Sequence, residues 1–365
     1  MKVLLMDIMV VGVGNRPTYI NNLLSAARDE GLRTTYVSAG ERADVRINLW
    51  TGSDIEFLIR FTVLVLLGRI ETDVDIIHAR RIVTLFPFIQ KQTDAKLVAT
   101  CPGHLTDELR MNHSRPFVWL YDTIESLALR ITDEVIAMSD SCREYLLEKH
   151  SYQGTQIRTI PVGVDTDVFH PMDRKQVRNE YGVDTKNVLL YAGRFSRVKN
   201  LPLLIEVFEA LVEEDDWLLV LAGRGECEDE LRETISERSL SSNTEFVGYI
   251  DHDRLSELMN VADCLALTSK SEGSPNVVRE ALACGLPVVS TDVGDVDTII
   301  KNDENGFILE EGSPQRFAQS ILTIAAEQSF RSNAKSTTTG FQHTFEQILE
   351  VYDYDRSATE HGGNR

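Results

Sequence analysis

The stretch Thr268-Ser-Lys-Ser-Glu-Gly-Ser-Pro-Asn-Val-Val-Arg-Glu-Ala-Leu-Ala-Cys-Gly285 follows an apolar run that reads as a buried strand. Ser274 is a good N-cap residue and Pro275 suits the first helical position, so the sequence predicts that a helix begins here. The amides of Asn276 and Val277 would then be free to bind an anion, reinforced by the helix dipole. The stretch therefore predicts a βα unit with an anion site where the strand ends.

Two carboxylates flank this predicted anion site. Glu272 lies directly before the helix, and Glu280 lies about 8 Å further along the helix axis at 1.5 Å per residue. Gly273 would let the backbone approach a ligand closely. A ligand with hydroxyl groups at both ends and a diphosphate between them fits this arrangement, which indicates a nucleotide sugar. The alternative is that Glu272 only favours the helix N-terminus and Glu280 is a solvated surface residue.

A second cationic segment, Tyr191-Ala-Gly-Arg-Phe-Ser-Arg-Val-Lys-Asn200, also follows a predicted strand. Arg194 and Lys199 could reach one phosphate group from two sides, the guanidinium as a fork and the ammonium as a point charge. Ordinary surface ion pairs are the alternative for these two cations.

Short apolar runs alternate with helical stretches along the whole chain, which predicts βαβ units and parallel sheets. The alternation pauses at the turn-rich segment 160–171 and then begins again. We therefore expect an α/β protein with domains at residues 1–165 and 166–340, followed by a helix and a disordered tail at 341–365. The predicted strands are Val3–Met6, Thr34–Ser38, Asp75–His78, Lys96–Thr100, Glu134–Ala137, Gln156–Ile160, Val188–Ala192, Trp217–Ala222, Thr244–Val247, Cys264–Thr268 and Pro287–Ser290.

The net charge of the chain is unusually negative: 37 Lys and Arg stand against 57 Asp and Glu, which gives −20. General electrostatics then exclude binding to nucleic acid or to an anionic membrane. Acidic, lysine-poor surfaces stay hydrated in salt, so we expect a halophilic protein, with an acidic mesophilic enzyme as the alternative. The acidic block at residues 206–237 is expected to be a solvated helical face.

The five cysteines are scattered, without CxxC spacing or a Cys/His cluster, so we expect a reduced compartment and no structural metal. The segment Phe57–Leu67 is too short and too charged for a membrane span and is expected to be a buried helix. Charge close to the N-terminus argues against a signal peptide. These features predict a cytoplasmic protein. It could also lie at the inner surface of the membrane.

The motifs together resemble retaining glycosyltransferases of family 4, the glycosyl transferases group 1. The resemblance covers the chain from Val3 to about Tyr354. It rests on Gly193-Arg-Phe-Ser-Arg-Val-Lys199, Ala222-Gly-Arg-Gly225, Phe246-Val-Gly-Tyr249, Glu272-Gly-Ser-Pro-Asn-Val-Val-Arg-Glu280 and Val289-Ser-Thr-Asp-Val-Gly294. It implies the GT-B fold, in which two Rossmann-like domains face a central cleft and a C-terminal helix crosses back to the N-terminal domain.

The resemblance also implies a role for each matching residue. Those expected at the donor are Gly14, Arg194, Lys199, Gly248, Tyr249, Glu272, Gly273, Ser274, Asn276, Val277 and Glu280. Those expected to act in catalysis are Glu272, His104, Arg194 and Lys199. The family usually has a His beside the reacting sugar where this chain has Pro102, so His104 is either a shifted replacement or an exposed loop residue. His78 is expected to pack at a strand end.

The implied activity is transfer of a hexose from a UDP-, GDP- or ADP-sugar to an acceptor hydroxyl with retention of configuration, without cofactor or metal. The acceptor could be a glycan, a lipid-linked saccharide or a small molecule. Residues 111–129 could touch a lipid-linked acceptor at a membrane surface or could pack as a helix on the sheet. Two alternatives stay open: a nucleotide-sugar epimerase on the same fold, and a catalytically silent nucleotide-binding assembly partner.

Overall fold

The computed structural model describes residues 6–11, 18–41, 43–50, 54–90, 93–103, 114–150, 156–183, 187–310, 313–334 and 339–354. The chain divides into two compact units, the first formed by residues 1–162 with 342–365 and the second by residues 163–341. The stretch from Gln342 is thus grouped with the first unit. No described helix is long and apolar enough to cross a membrane.

Thirteen strands are described, and every strand pairing is parallel. In the first unit they are β1 (Asp7–Val11), β2 (Arg33–Ser38), β3 (Val45–Arg46), β4 (Ile76–Ala79), β5 (Lys96–Cys101), β6 (Glu134–Ala137) and β7 (Gln156–Thr159). In the second they are β8 (Asn187–Ala192), β9 (Trp217–Ala222), β10 (Thr244–Gly248), β11 (Cys264–Leu267), β12 (Val288–Thr291) and β13 (Gly306–Leu309).

The described helices of the first unit are α1 (Thr18–Asp29), α2 (Asp54–Leu66), α3 (Arg115–Leu129) and α4 (Asp140–His150), with a 3-10 helix at Ile82–Ile89. Those of the second are α5 (Arg174–Tyr181), α6 (Leu201–Val212), α7 (Glu228–Glu237), α8 (His252–Val261), α9 (Asn276–Ala283), α10 (Val296–Ile299), α11 (Pro314–Ala326) and α12 (Ser329–Ala334). The C-terminal helix α13 spans Phe341–Val351. Short 3-10 turns lie at Arg197–Lys199 and Ser241–Asn243.

The strand order of the two sheets defines where a ligand can bind. The first sheet runs β3-β2-β1-β4-β5-β6-β7 and the second runs β10-β9-β8-β11-β12-β13. In the second sheet β8 and β11 are neighbours although two strands separate them in sequence. The chain continues from β8 to β9 on one side of this pair and from β11 to β12 on the other side. Such a reversal opens a crevice at the carboxyl ends of the strands, which is where doubly wound sheets bind ligands. The loops after β8 and β11 therefore form the candidate site.

The end of the chain packs within the first unit through polar contacts. Thr344 Oγ1 donates to the carbonyl oxygen of Pro161 at 2.9 Å, and Lys96 Nζ lies 2.6 Å from Asp353 Oδ2. Tyr352 is buried, and its hydroxyl lies 2.5 Å from Nδ1 of His78.

Three sequence-based expectations need correction. The first described strand is Asp7–Val11; of the predicted strand Val3–Met6, Met6 lies outside it and residues 3–5 fall outside the described residues. Two short edge strands, β3 and β13, are present that the sequence pattern did not predict. The segment Phe57–Leu67 is helical as predicted, but it is buried on one side only, because its outward residues are exposed.

Candidate functional site

The loop that follows β8 is held in place by backbone contacts with the loop that follows β9. The amide of Gly193 donates to the carbonyl oxygen of Ala222 at 2.9 Å. A Cβ atom at Gly223 would lie 1.9 Å from the carbonyl oxygen of Gly193, and one at Gly225 would lie 2.2 Å from that of Phe195. Both distances are far inside van der Waals contact, so the two loops can approach this closely only where these positions are glycine.

Lys199 and Glu272 join the loop after β8 to the loop after β11. Nζ of Lys199 lies 2.5 Å from Oε1 of Glu272, and both side chains are largely shielded from solvent. Ser269 Oγ donates to the same Oε1 at 2.6 Å, and Thr268 Oγ1 donates to the carbonyl oxygen of Lys199 at 3.0 Å. No contact from the described residues engages Oε2 of Glu272, so this oxygen is the one that can accept from a ligand.

Helix α9 begins one residue later than predicted. Its N-cap is Pro275, and no side chain caps it. Ser274, predicted to be the N-cap, instead donates to Oδ2 of Asp295 at 3.0 Å. The amides of Asn276 and Val277 consequently have no side-chain acceptor among the described residues, and the helix N-terminus is available to an anion as expected.

The peptide at Gly273 is supported from behind by the loop after β12. Gly294 has φ +63°, and a Cβ there would lie 2.5 Å from the carbonyl oxygen of Gly273. Arg279 forms an ion pair with buried Asp295 and donates to Ser274 Oγ at 3.2 Å. Burial raises the pKa of the Asp295 carboxyl and lowers that of the Arg279 guanidinium, and the attraction between them opposes both shifts. This ion pair fixes the turn that leads into α9.

Asp295 and Arg279 are the site residues that sequence reasoning missed. Asp295 directly follows the motif that ends at Gly294, and Arg279 directly precedes Glu280. A cation inside one recognised motif and an acid directly after another were a usable signal, because the two motifs follow neighbouring strands of the sheet.

Glu280 is the fifth residue of α9 and is only 8% exposed, so the alternative of a solvated surface residue is wrong. Burial raises the pKa of its carboxyl to about 7, because the charged form is poorly solvated there. No hydrogen bond or ion pair from the described residues reaches this carboxylate. Neither oxygen of this carboxylate is among the fully buried side-chain atoms that lack a partner, so the carboxylate keeps access to solvent and hydroxyl donors of a ligand could reach it.

Two predicted donor contacts lie on exposed parts of the second unit. The side chain of Arg194 is 73% exposed and pairs with Glu226 at 3.1 Å. Gly248 has φ +71°, and the following Tyr249 is 80% exposed. Arg194 is thus held by a surface ion pair, which is weak enough for a phosphate to displace.

Gly14 and His104 lie outside the described residues, so their predicted roles remain predictions. His78 is fully buried on β4, with Nε2 2.6 Å from Thr100 Oγ1 and Nδ1 against the Tyr352 hydroxyl. Burial lowers the pKa of this imidazole to about 3, so it stays neutral. These contacts agree with a packing role for His78.

Comparison with known proteins accounts for both units. Residues 17–168 match the family model of Glycosyltransferase Family 4, and residues 173–340 match that of Glycosyl transferases group 1. The chain belongs to the group 1 glycosyltransferases and has the GT-B fold.

Individual relatives are distant. An uncharacterized glycosyltransferase of Methanocaldococcus jannaschii is 25% identical over 75% of this chain and 67% of its own length. D-inositol 3-phosphate glycosyltransferase 1 of Catenulispora acidiphila is 28% identical over 66% of this chain. The chain spans only 61% of that relative's length.

A crystal structure of HepE from Anabaena, in complex with UDP-glucose, superposes with a TM-score of 0.78 at 20% identity. The match covers 95% of this chain and 99% of HepE. At that identity the likeness shows the fold alone.

Proposed function

We propose that this protein transfers a hexose from a nucleoside-diphosphate sugar to an acceptor hydroxyl with retention of anomeric configuration and without a divalent metal. The observation that carries the proposal is buried Glu280, whose carboxylate has no partner among the described residues. It lies four residues after Asn276, about 6 Å along a helix whose N-terminus is uncapped by any side chain. An anion could bind the free amides at the helix N-terminus, and a diol could donate to the Glu280 carboxylate. A nucleotide supplies both groups, as its phosphate and its ribose.

The donor would lie along α9 with its sugar towards Glu272. Oε2 of Glu272 would accept from a sugar hydroxyl, and the helix amides together with Arg194 and Lys199 would bind the diphosphate. HepE, which shares the fold, has been crystallised with UDP-glucose, and this supports a nucleotide sugar as the ligand class.

Negative charge develops on the leaving diphosphate in such a transfer. Preorganised cations and backbone amides stabilise that charge, a role that metal ions play in other enzymes. Lys199 is bound to Glu272 in this structure, so donor binding would redistribute the ammonium between the carboxylate and a phosphate oxygen. The departing diphosphate would accept the proton of the acceptor hydroxyl. The family resemblance supports retention, and His104 is proposed to stand beside the reacting sugar.

The direct test is calorimetry with UDP, GDP and ADP, followed by product analysis with the sugar donor of the base that binds. We expect one nucleoside diphosphate to bind, and we expect NMR of the glycoside to show the donor's anomeric configuration. Conversion of the donor sugar without acceptor would indicate the epimerase instead. Absence of binding by all three nucleotides would contradict the proposal, and binding without any turnover would favour a silent assembly partner.

A further inference from the structure

The strongest unexplained surface of the first unit is the outer face of α2, defined as Ile55, Ile59, Val63, Leu66 and Leu67. These side chains are 43%, 58%, 48%, 47% and 68% exposed. At 100° per residue they form one stripe about 120° wide along the helix. On the opposite side of the helix Phe57, Phe61 and Val65 are fully buried. Glu56 and Arg60, at about 100° and 140° from Ile55, interrupt one edge of the stripe, and an exposed apolar surface of this kind normally marks a site of interaction.

Trp50 extends this stripe. Its side chain is 90% exposed, and Arg60 stacks on its ring at 4.3 Å. Arg60 also pairs with Glu56 at 2.8 Å, and the backbone amide of Trp50 donates to Glu56 at 2.8 Å. The indole is therefore positioned by a local network. Glu56 and Arg60 are the two charged residues between positions 55 and 67, and each neutralises the other.

The area of the stripe suits an interface between protein chains. Taking roughly 200 Å² for a fully exposed large side chain, the outer face of α2 and Trp50 present about 700 Å². The largest apolar patch of a typical monomer is about 300–600 Å², and a stable interface buries about 800 Å² per partner.

The distribution of charge distinguishes between possible occupants. The first unit, residues 1–162 with 342–365, contains 20 Lys and Arg against 25 Asp and Glu, whereas residues 163–341 contain 17 against 32. Most of the acidic excess thus lies outside the first unit, and two first units could meet with little repulsion. A helix that lies on an anionic bilayer is instead rich in Lys and Arg, and α2 has a single Arg that is already paired.

We propose that the outer face of α2 docks onto the same face of a second copy of this chain, forming a two-fold symmetric dimer. In such an isologous contact the same surface is used twice. If residue i of one copy contacts residue j of the other, then residue j of the first copy also contacts residue i of the second. The two α2 helices pair antiparallel across an axis between Ile59 and Val63. Ile59 of each copy then packs against Val63 of its partner.

Sedimentation equilibrium of the full chain tests the pairing. We expect a dimer at micromolar concentration, and we expect Ile59→Glu and Val63→Lys each to raise the dimer dissociation constant at least ~100-fold, because each buries an unpaired charge. An equimolar mixture of the two variants should dimerise again, since each glutamate would then face a lysine. The control is Leu147→Glu on α4, where the native leucine is 38% exposed, and it should remain dimeric.

Circular dichroism and the melting temperature establish that each variant is folded. A wild-type chain that stays monomeric at all concentrations would overturn the proposal. The proposal would also be overturned if the monomer floated with anionic lipid vesicles and Ile59→Glu abolished that flotation, because the outer face of α2 would then bind a bilayer. A mixture of the two variants that stays monomeric would overturn the antiparallel register.

Discussion

Nζ of Lys199 and Oε1 of Glu272 lie 2.5 Å apart, so a cation from the loop after β8 neutralises a carboxylate from the loop after β11. The two residues are 73 positions apart in sequence and meet because β8 and β11 are adjacent in the sheet. The contact places one largely shielded ion pair between the two loops of the candidate site. Glu272 therefore has a cationic partner before any donor binds, whereas Glu280 has no partner among the described residues.

This difference predicts that Glu280→Gln and Glu272→Gln fail in different ways. Glu280→Gln should weaken binding of free nucleoside diphosphate by roughly 1.5–3 kcal/mol, the range for hydrogen bonds to charged groups. Glu272→Gln should leave that affinity nearly unchanged and lower kcat/KM, because Glu272 holds the transferring sugar. Calorimetry and initial rates measure both effects, with exposed Glu230→Gln as the control. Equal losses of nucleotide affinity would mean that the donor lies the other way along α9.

The raised pKa of Glu280 predicts a pH-dependent cost to stability. The folded-state pKa of about 7 lies above the ordinary value of 4.5, so ionisation penalises the folded state increasingly as the pH rises from 4.5 to 7. The full penalty corresponds to about 3 kcal/mol. We expect Glu280→Gln to stabilise the ligand-free protein at pH 8 and to have little effect at pH 4. Denaturant unfolding at both pH values measures this, and a pH-independent difference would contradict the assigned cause.

Gly223→Ala should destabilise the second unit by about 2–4 kcal/mol, because the new Cβ would collide with the carbonyl oxygen of Gly193. Gly182→Ala is the matched control, since Gly182 also has positive φ but a Cβ at that position would have no atom within 4 Å. It should cost only about 1–2 kcal/mol, the penalty for an L-residue in the left-handed conformation. Thermal unfolding compares the two, and equal costs would show that the loops after β8 and β9 can separate.

Turnover should persist in the presence of a chelator, because Arg194, Lys199 and the N-terminus of α9 are proposed to stabilise the leaving diphosphate. The measurement is the initial rate after dialysis against EDTA. Complete loss of turnover that Mg²⁺ or Mn²⁺ restores would contradict the prediction.

The melting temperature should rise as KCl increases from low salt to the molar range. The 20 excess negative charges repel one another, and salt shortens the range of that repulsion. Differential scanning fluorimetry across a KCl series measures the effect, and a flat or falling melting temperature would refute it.

The regular part of the fold could be predicted from sequence where central strands are apolar runs, as in β9 (WLLVLA) and β11 (CLAL). The predicted strand Trp217–Ala222 has the bounds that the structure shows, and the prediction for Cys264–Leu267 is correct to within one residue. Strand β3 has only two residues, which is too few for a periodic signal. Such a short edge strand forms only because it pairs with its neighbour, here β2, and the pairing leaves no pattern in the strand's own sequence.

Predictions about the site failed where a distant partner competed with a local preference. Ser274 has the side chain of an N-cap, but Asp295 and Arg279 bind its hydroxyl instead. Glu280 carries no local sign of burial, since only the packing of α9 against its neighbours shields it. The exposure of the outer face of α2 could not be predicted. Its apolar composition indicates that the face is buried against some surface, but it does not indicate whether that surface belongs to the same chain.

The discontinuity of the first unit has a consequence for protein synthesis. Residues 1–162 emerge from the ribosome first, but Tyr352, which contacts buried His78, is translated only after the whole second unit. At ~5–20 residues per second, that interval is roughly 10–40 s. During it the imidazole of His78 lacks its tyrosine partner, while the contiguous second unit has every residue it needs to fold. Nascent chains of this protein are therefore expected to mature in reverse of their order of synthesis, with the second unit completed before the first.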